Sequence, residues 1–394
     1  MKLHVTRLVV VCALAAAAVI VVGSDATAGV PLQRYIIQLS DPPLASYRGG
    51  VPGLAATNPA ALGQVKLDSS SVASRAYLGY LAQKQASFRS NLTQMLGRAV
   101  EVPFSYRYAY DGITAVVTSD EAATVSGLPG VVHVEKERAL QLETDAGPQW
   151  IGAPSIWDGS ATGGPRGSMG EGVLVGDIDT GVNHDHPAFA PTGDDGYTIR
   201  NPRGTYYGLC DPVTGVPFCN SKLIGVYDFT GTGPEDDNEH GSHTASTAVG
   251  DVTYAAVMHA PTIDITRKVS GVAPHANLIT YKACTTTPAI GTCLSPATVA
   301  AIDQATADGV DVINFSIGGS SNDPWQNFVD PYLESNSVAF LGARDAGVFA
   351  SVSAGNSGPG PQTMGNPANA PWVTAVAATT HNRKFVNTLT GLSG

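Results

Sequence analysis

The chain has 394 residues, 43% of them hydrophobic and 14% charged, with 44 glycines. That is a globular composition, too long for one ordinary domain, and it excludes a disordered chain. The formal net charge of −11 is uneven: residues 29–142 hold 10 basic and 8 acidic side chains, residues 143–394 hold 10 and 24. An acidic body argues against a nucleic-acid partner. The opposite balance of the two regions favours their association, weakly in salt.

Residues 1–28 have the form of an export signal. Lys2 and Arg7 precede an apolar run over residues 8–22, and Ala26-Thr27-Ala28 is a small-residue cleavage site. The run is short for a membrane span of about 20 residues. The expectation is a secreted protein with no membrane attachment once the signal is removed. Cys12 leaves with the signal, and Cys210, Cys219, Cys284 and Cys293 remain. Four cysteines allow three connectivities. An oxidising compartment permits two local loops, Cys210–Cys219 and Cys284–Cys293, with free thiols as the alternative.

The region over residues 29–142 reads as a small α+β unit. Residues 34–39 alternate and are rich in β-branched side chains, which predicts a strand. Residues 41–68, rich in Pro, Gly and Ala, read as a loop. A helix is predicted over 71–96, where Leu78, Leu81, Phe88, Leu92 and Leu96 keep near-helical spacing before Gly97. Strands over 102–108 and 113–118 flank an Asp111-Gly112 turn. Ser119 is the expected N-cap of a short helix that Gly127 and Pro129 stop, and residues 131–135 are a last strand. The order β-α-β-β-α-β is that of a ferredoxin-like split unit.

From about Gln149 onward, short apolar strands alternate with helices and glycine-rich turns. Strands are predicted over 173–179, 276–282, 310–316, 348–353 and 371–377, with helices over 295–307 and 339–345. This pattern implies an α/β unit with a mostly parallel sheet covered by helices on both faces. Ligands of such sheets gather at the carboxyl ends of the strands.

Three polar residues stand at such ends. Asp179 closes the first strand in Asp179-Thr180-Gly181. His240 opens His240-Gly241-Ser242-His243 at a helix start, where a histidine is both held and exposed, as a general base requires. Asn356, in Ser353-Ala354-Gly355-Asn356-Ser357-Gly358, can donate an amide N–H to a developing oxyanion, or simply form a turn. His243 reads as structural, facing the helix interior. His184-Asp185-His186 reads as an exposed turn rather than a metal site. Asp194-Asp195 and Asp236-Asp237 could meet calcium but read rather as solvated loop carboxylates; no cofactor motif is present. Asn91-Leu92-Thr93 is a glycosylation sequon.

Taken in order, Asp179-Thr180-Gly181, the His240 block, Gly271-Val272-Ala273-Pro274, Asn314-Phe315-Ser316-Ile317-Gly318-Gly319 and the Asn356 block resemble the subtilisin-like serine proteases over about residues 150–385. The preceding region resembles their inhibitory I9-type propeptide. The resemblance implies a signal over 1–28, an inhibitory propeptide over 29–142 and a catalytic domain over 143–394. It makes Asp179 the residue that orients the histidine, His240 the general base and Asn356 the oxyanion donor. Ser316, Ile317, Gly318 and Gly319 become an extended edge that pairs with peptide or protein substrates. The long stretch between Asp179 and His240 is similar to the plant-type branch.

Three features depart from the family pattern. Ser242 stands where threonine is usual. Asp177 takes a usually apolar position on the same face as Asp179, where it needs a partner or a raised pKa. The nucleophile belongs in a Gly-Thr-Ser-Met-Ala stretch after the asparagine, and none occurs. Gly167-Ser168-Met169 precedes Asp179, and Ser393 is followed by one residue. The expectation is a zymogen-like chain truncated before its catalytic serine, inactive as it stands and incomplete in its last layers. The alternative is a non-catalytic peptide-binding protein.

Overall fold

The computed structural model describes residues 31–137, 139–142, 148–149, 151–163, 167–210, 218–260, 263–286, 292–319, 330–361 and 363–379. The export signal, residue 143 and Ser393 lie outside the described residues. The described residues from Leu32 onward belong to one compact unit. No helix among the described residues is long and apolar enough to cross a membrane.

The N-terminal region folds as β1 (Gln33–Leu39), α1 (Val72–Leu96), β2 (Phe104–Tyr106), β3 (Gly112–Val117), α2 (Ser119–Ser126) and β4 (Val131–Lys136). The strands lie in the order β2-β3-β1-β4, with every pair antiparallel. α1 starts where the Ser71 side chain accepts the Ser74 N–H, and stops at left-handed Gly97. The cap of α2 is Thr118, not Ser119. A capping box needs a Glu three residues past the cap, and only Thr118 has one, Glu121; both reciprocal bonds form.

The C-terminal region is built on a parallel sheet. Its strands are β6 (Leu174–Asp179), β7 (Tyr207–Gly208), β8 (Leu223–Asp228), β11 (Asn277–Lys282), β14 (Val312–Phe315), β16 (Phe349–Ser353) and β17 (Thr374–Val376). They lie in the order β17-β16-β14-β6-β11-β8-β7. Helices α4 (His240–Val249), α5 (Ser295–Asp308) and α6 (Ser335–Asp345) cover it, after a short α3 (Ala153–Trp157); a hairpin of β9 (Thr253–Ala260) and β10 (Ile263–Val269) stands apart. β8, β9 and β10 were not among the predicted strands.

Alternation along the central strand β6 sets the layers. Leu174 and Ile178 pack with the apolar faces of α5 and α6, whereas Val175 packs with Ala245 and Val249 of α4 on the other face. By the same period of two, Asp177 and Asp179 turn toward α4.

The two regions share one core. Ile36, Tyr106, Ala109 and Tyr110 belong to the same buried cluster as the apolar residues of α5 and α6. Buried Asp303 of α5 accepts the N–H groups of Arg107, Tyr108, Ala109 and Tyr110 at 3.2, 2.8, 2.7 and 3.3 Å. Burial pushes its carboxyl up to about 6, even though these four N–H groups oppose the shift. In the other direction, Glu135 of β4 accepts the Ser335 N–H at 2.7 Å at the start of α6, where an anion is favoured.

Close packing at this contact yields a test. A methyl at Gly342 of α6 would lie 1.9 Å from the Ala109 carbonyl oxygen, whereas Gly79, on the exposed face of α1, has open space around it. Gly342→Ala should destabilise the chain by about 1–3 kcal/mol. Gly79→Ala should stabilise it by about 0.5–1 kcal/mol. Urea midpoints of both variants check the contrast.

Candidate active site

Asp179 ends β6 with its side chain wholly buried. His240 is the first residue of α4, and its side chain is 14% exposed. The imidazole Nδ1 lies 2.8 and 2.9 Å from the two carboxylate oxygens of Asp179. With Nδ1–H donating there, Nε2 is left as the basic nitrogen. Two more donors serve the same carboxylate: the Thr180 N–H at 2.7 Å and the Thr244 hydroxyl at 3.2 Å.

The helix start is held by Asp236. Its carboxylate accepts the N–H groups of Asn238 and Glu239 at 2.9 and 3.0 Å, the Ser242 N–H at 2.8 Å, and the hydroxyls of Ser242 and Thr180 at 2.6 and 2.8 Å. Burial works to raise this acid, but those donors outweigh it and hold it below the ordinary range. Glu239, just before His240, is the only non-glycine at positive φ (72°) among the described residues. Strain of this kind persists where surrounding bonds over-determine the backbone. Gly241 lets the helix end meet the Asp179 turn, since a methyl there would lie 2.1 Å from the Gly181 carbonyl oxygen.

A cavity of about 290 Å³ opens at Thr244, the residue that bonds Asp179, and is lined in part by His243, Thr244, Asn314, Ser316, Ser353 and Asn356; His240 and Asp179 themselves do not line it. Asn356 is exposed on its rim. His243 is exposed as well and lines the cavity. The expected inward orientation of His243 is therefore corrected; it lies off the face carrying Thr244 and Ala245.

The edge at Ser316–Gly319 carries strand β15 (Ile317–Gly318), while Gly319 donates its N–H to Asn366. That edge is occupied. β5 (Ala139–Leu142) pairs antiparallel with it, Ile317 opposite Leu142 and Gly318 opposite Gln141. On its other side β5 pairs with β13 (Thr292–Leu294), Cys293 opposite Leu140 and Leu294 opposite Ala139. The groove thus has two backbone walls. β13 is hairpinned to β12 (Cys284–Thr285), and the Cys284–Cys293 disulfide crosses that hairpin. The second disulfide joins Cys210 to Cys219.

The carboxylates considered for calcium have other partners. Asp194 accepts the Tyr254 N–H, Asp195 bonds Tyr197 and His275, and Asp237 bonds Thr285 and faces Lys282. His184 bonds Glu235, and His186 caps the turn at Ala188. Among the described residues no group of three His, Cys, Asp or Glu is placed to hold a metal.

Sequence reasoning missed Thr244 and the β13 wall, and gave no site role to Asn314, named only within a motif, or to Asp236, considered only for calcium. Thr244 had a signal, four residues past His240 on one helix face. Asp236 had one too, as an acid just before a helix start. The β13 wall had only the paired cysteines.

Residues 170–390 match the subtilase family model, and residues 34–143 match that of the peptidase inhibitor I9. The chain belongs to the subtilase family, a family of hydrolases that cut peptide bonds. It is 33% identical to subtilisin-like protease SBT2.6 of Arabidopsis thaliana over 92% of its own length and 44% of that protein's. It is likewise 33% identical to SBT2.5 of the same plant, with the same coverage. The chain therefore spans less than half the length of these relatives. Among solved structures, fervidolysin from Fervidobacterium pennivorans matches 87% of this chain and 42% of its own, at 16% identity and a TM-score of 0.45.

Gly241→Ala should push α4 away from the Asp179 turn and break the His240–Asp179 bond. Proton NMR of the 394-residue chain checks this: the low-field Nδ1–H resonance of His240 should disappear in the variant while the rest of the spectrum stays folded.

Proposed function

We propose that these 394 residues carry the orienting acid, general base and oxyanion donor of an exported serine endopeptidase, together with its inhibitory pro-region. The observation that carries this reading is the bond from His240 Nδ1 to buried Asp179 at 2.8 Å. In the reaction, His240 Nε2 takes the proton of a serine hydroxyl as it attacks the scissile carbonyl, and later returns it to the leaving amine. Asp179 fixes the tautomer and steadies the imidazolium. Asn356, on the rim of the cavity at Thr244, donates to the oxyanion. No serine in the sequence stands in the Gly-Thr-Ser-Met-Ala context that the family resemblance assigns to the nucleophile. On this reading the 394 residues do not hydrolyse peptides by this mechanism on their own.

Residues 1–28 serve as the export signal, 29–142 as a ferredoxin-like inhibitory propeptide and 143–394 as the catalytic region. The strand order β2-β3-β1-β4 supports the ferredoxin-like assignment. The lodging of β5 between β13 and β15 supports inhibition, because a substrate strand would pair with the same two edges. Cleavage near Glu143 releases the pro-region. Peptide binding without hydrolysis is the second reading for the 394-residue chain, favoured by the same two-sided pairing.

The test is a peptidase assay on the protein made from the complete reading frame and freed of its pro-region. His240→Ala should abolish hydrolysis. Asn356→Ala should slow it about 10²–10³-fold, the range known for one oxyanion donor of a subtilisin. No hydrolysis of any unfolded protein substrate by the freed enzyme would overturn the reading.

Inhibition has its own test. Proline at residue 141 cannot serve inside a strand bonded on both sides, and one lost hydrogen bond is worth about 0.5–1.5 kcal/mol. A Gln141→Pro pro-region added back to the freed enzyme should inhibit about tenfold more weakly, measured as a Ki.

A further inference from the structure

The roles assigned above leave a second buried acid unused. Asp177 lies on β6 two residues before Asp179, with no exposed surface. Its Oδ1 accepts from Asn314 Nδ2 at 2.8 Å. Its Oδ2 lies 3.4 Å from the Thr244 hydroxyl oxygen. That hydroxyl also lies 3.2 Å from Asp179 Oδ2 and 3.1 Å from the Gly241 carbonyl oxygen. Asn314 uses the same Nδ2 to reach Ser316 Oγ at 3.1 Å, at the head of β15. A continuous path of polar atoms thus runs from His240 through Asp179, Thr244, Asp177 and Asn314 to the peptide-pairing edge.

Counting protons fixes the direction of that path. Thr244 has one hydroxyl proton and three oxygens within reach. With both acids ionised, two buried charges would compete for it, and among the described residues no Lys, Arg or His pairs with Asp177. With a proton on Asp177, every group finds a partner. Asp177 donates to Thr244 Oγ1, and Thr244 donates to Asp179 Oδ2, the oxygen that also meets His240. The unprotonated Oδ1 of Asp177 remains the acceptor for Asn314. The other ionisable groups near Asp177 agree with this. Asp179 on its own strand and Asp236 in the loop before α4 repel a charge there, and burial is the largest influence; together they push Asp177 well above the usual carboxylate range. A carboxylic acid kept neutral so that it can donate is a known use of a dry site.

We propose that Asp177 is a positioning residue of the peptidase site: a neutral acid that donates through Thr244 to Asp179 and holds Asn314 toward Ser316 at the substrate edge. The proposal rests on the reading of Asp179 and His240 given above.

The experiment uses the 394-residue chain, so it does not depend on hydrolysis. In infrared difference spectra at pH 7, wild type minus Asp177→Asn should show the carbonyl stretch of a protonated carboxyl. Loss of an ionised carboxylate band in its place would overturn the proposal. In parallel, ¹⁵N-histidine NMR follows the titration of His240. Asp177→Asn, which keeps an acceptor for Asn314 and a donor for Thr244, should leave its midpoint unchanged. Asp177→Val removes the donor to Thr244, so the Thr244 hydroxyl is no longer polarised toward Asp179 and more charge is left facing the imidazole. It should raise the midpoint by about half a unit or more. An unchanged midpoint in a folded Asp177→Val chain would also overturn the proposal. A wild-type spectrum without an Asp179-bonded Nδ1–H would instead overturn the underlying reading of His240.

Discussion

The bond between His240 and Asp179 requires a helix start to sit within hydrogen-bond reach of a central strand's end, deep enough that the carboxylate has no exposed surface. Several otherwise unrelated features follow from that demand. Residue 241 must lack a side chain, because its position touches the Gly181 carbonyl. The helix N-terminus must bring its own anion, since its first N–H groups would otherwise be orphaned; Asp236 supplies it. The backbone before His240 takes a left-handed turn at Glu239, a residue that rarely adopts one. That strain is tolerable because Asp236 binds the N–H groups on both sides of the turn.

The same geometry explains the buried polar atoms behind the cavity wall at Thr244 and Asn314. β6 is the central strand, so both of its faces are covered, yet its last three odd positions read Val175, Asp177 and Asp179. Two acids on one dry face are incompatible unless one of them holds a proton or a cation stands between them. With the proton on Asp177, Thr244 and Asn314 complete its bonds without adding charge. The pairing edge at Ser316 is then tied to the helix that holds His240 through neutral groups alone.

Much of this was legible in the sequence. The parallel strands are short apolar runs, and Asp179 and His240 were identifiable through the ordered series of motifs that resembles the subtilases, each motif alone having an ordinary structural reading. Asp177 was identifiable as an anomaly, though not its partners. Thr244 and Asn314 are ordinary residues whose importance arises from contacts 67 and 137 positions away in sequence. The second wall of the groove was illegible for the same reason: Thr292-Cys293-Leu294 carries no pattern of its own, and its pairing with residues 139–142 is a long-range event. The cap of α2 was misread by one residue because Thr118 and Ser119 are chemically alike, and only the spacing to Glu121 separates them. The sequence boundary between two regions also hid how far their interiors merge, since the residues that merge, such as Tyr106 and Ala109, are unremarkable core types.

What joins the two regions is not their opposite charge. Across the contact, Lys66 and Asp311 form an ion pair with side chains 28% and 39% exposed, and such pairs contribute at most about 1 kcal/mol and fade in salt. Burying one aromatic or aliphatic side chain contributes about 1.5–3 kcal/mol, and Ile36, Tyr106 and Tyr110 are each buried in the shared cluster. To these are added four backbone N–H groups held by the Asp303 carboxylate and the two-sided backbone pairing of β5. The magnitudes therefore favour apolar burial and backbone bonding by several-fold over charge. An inhibitor attached in this way keeps its grip at high ionic strength, and loses it when the strand in the groove is cut or its backbone pairing is broken.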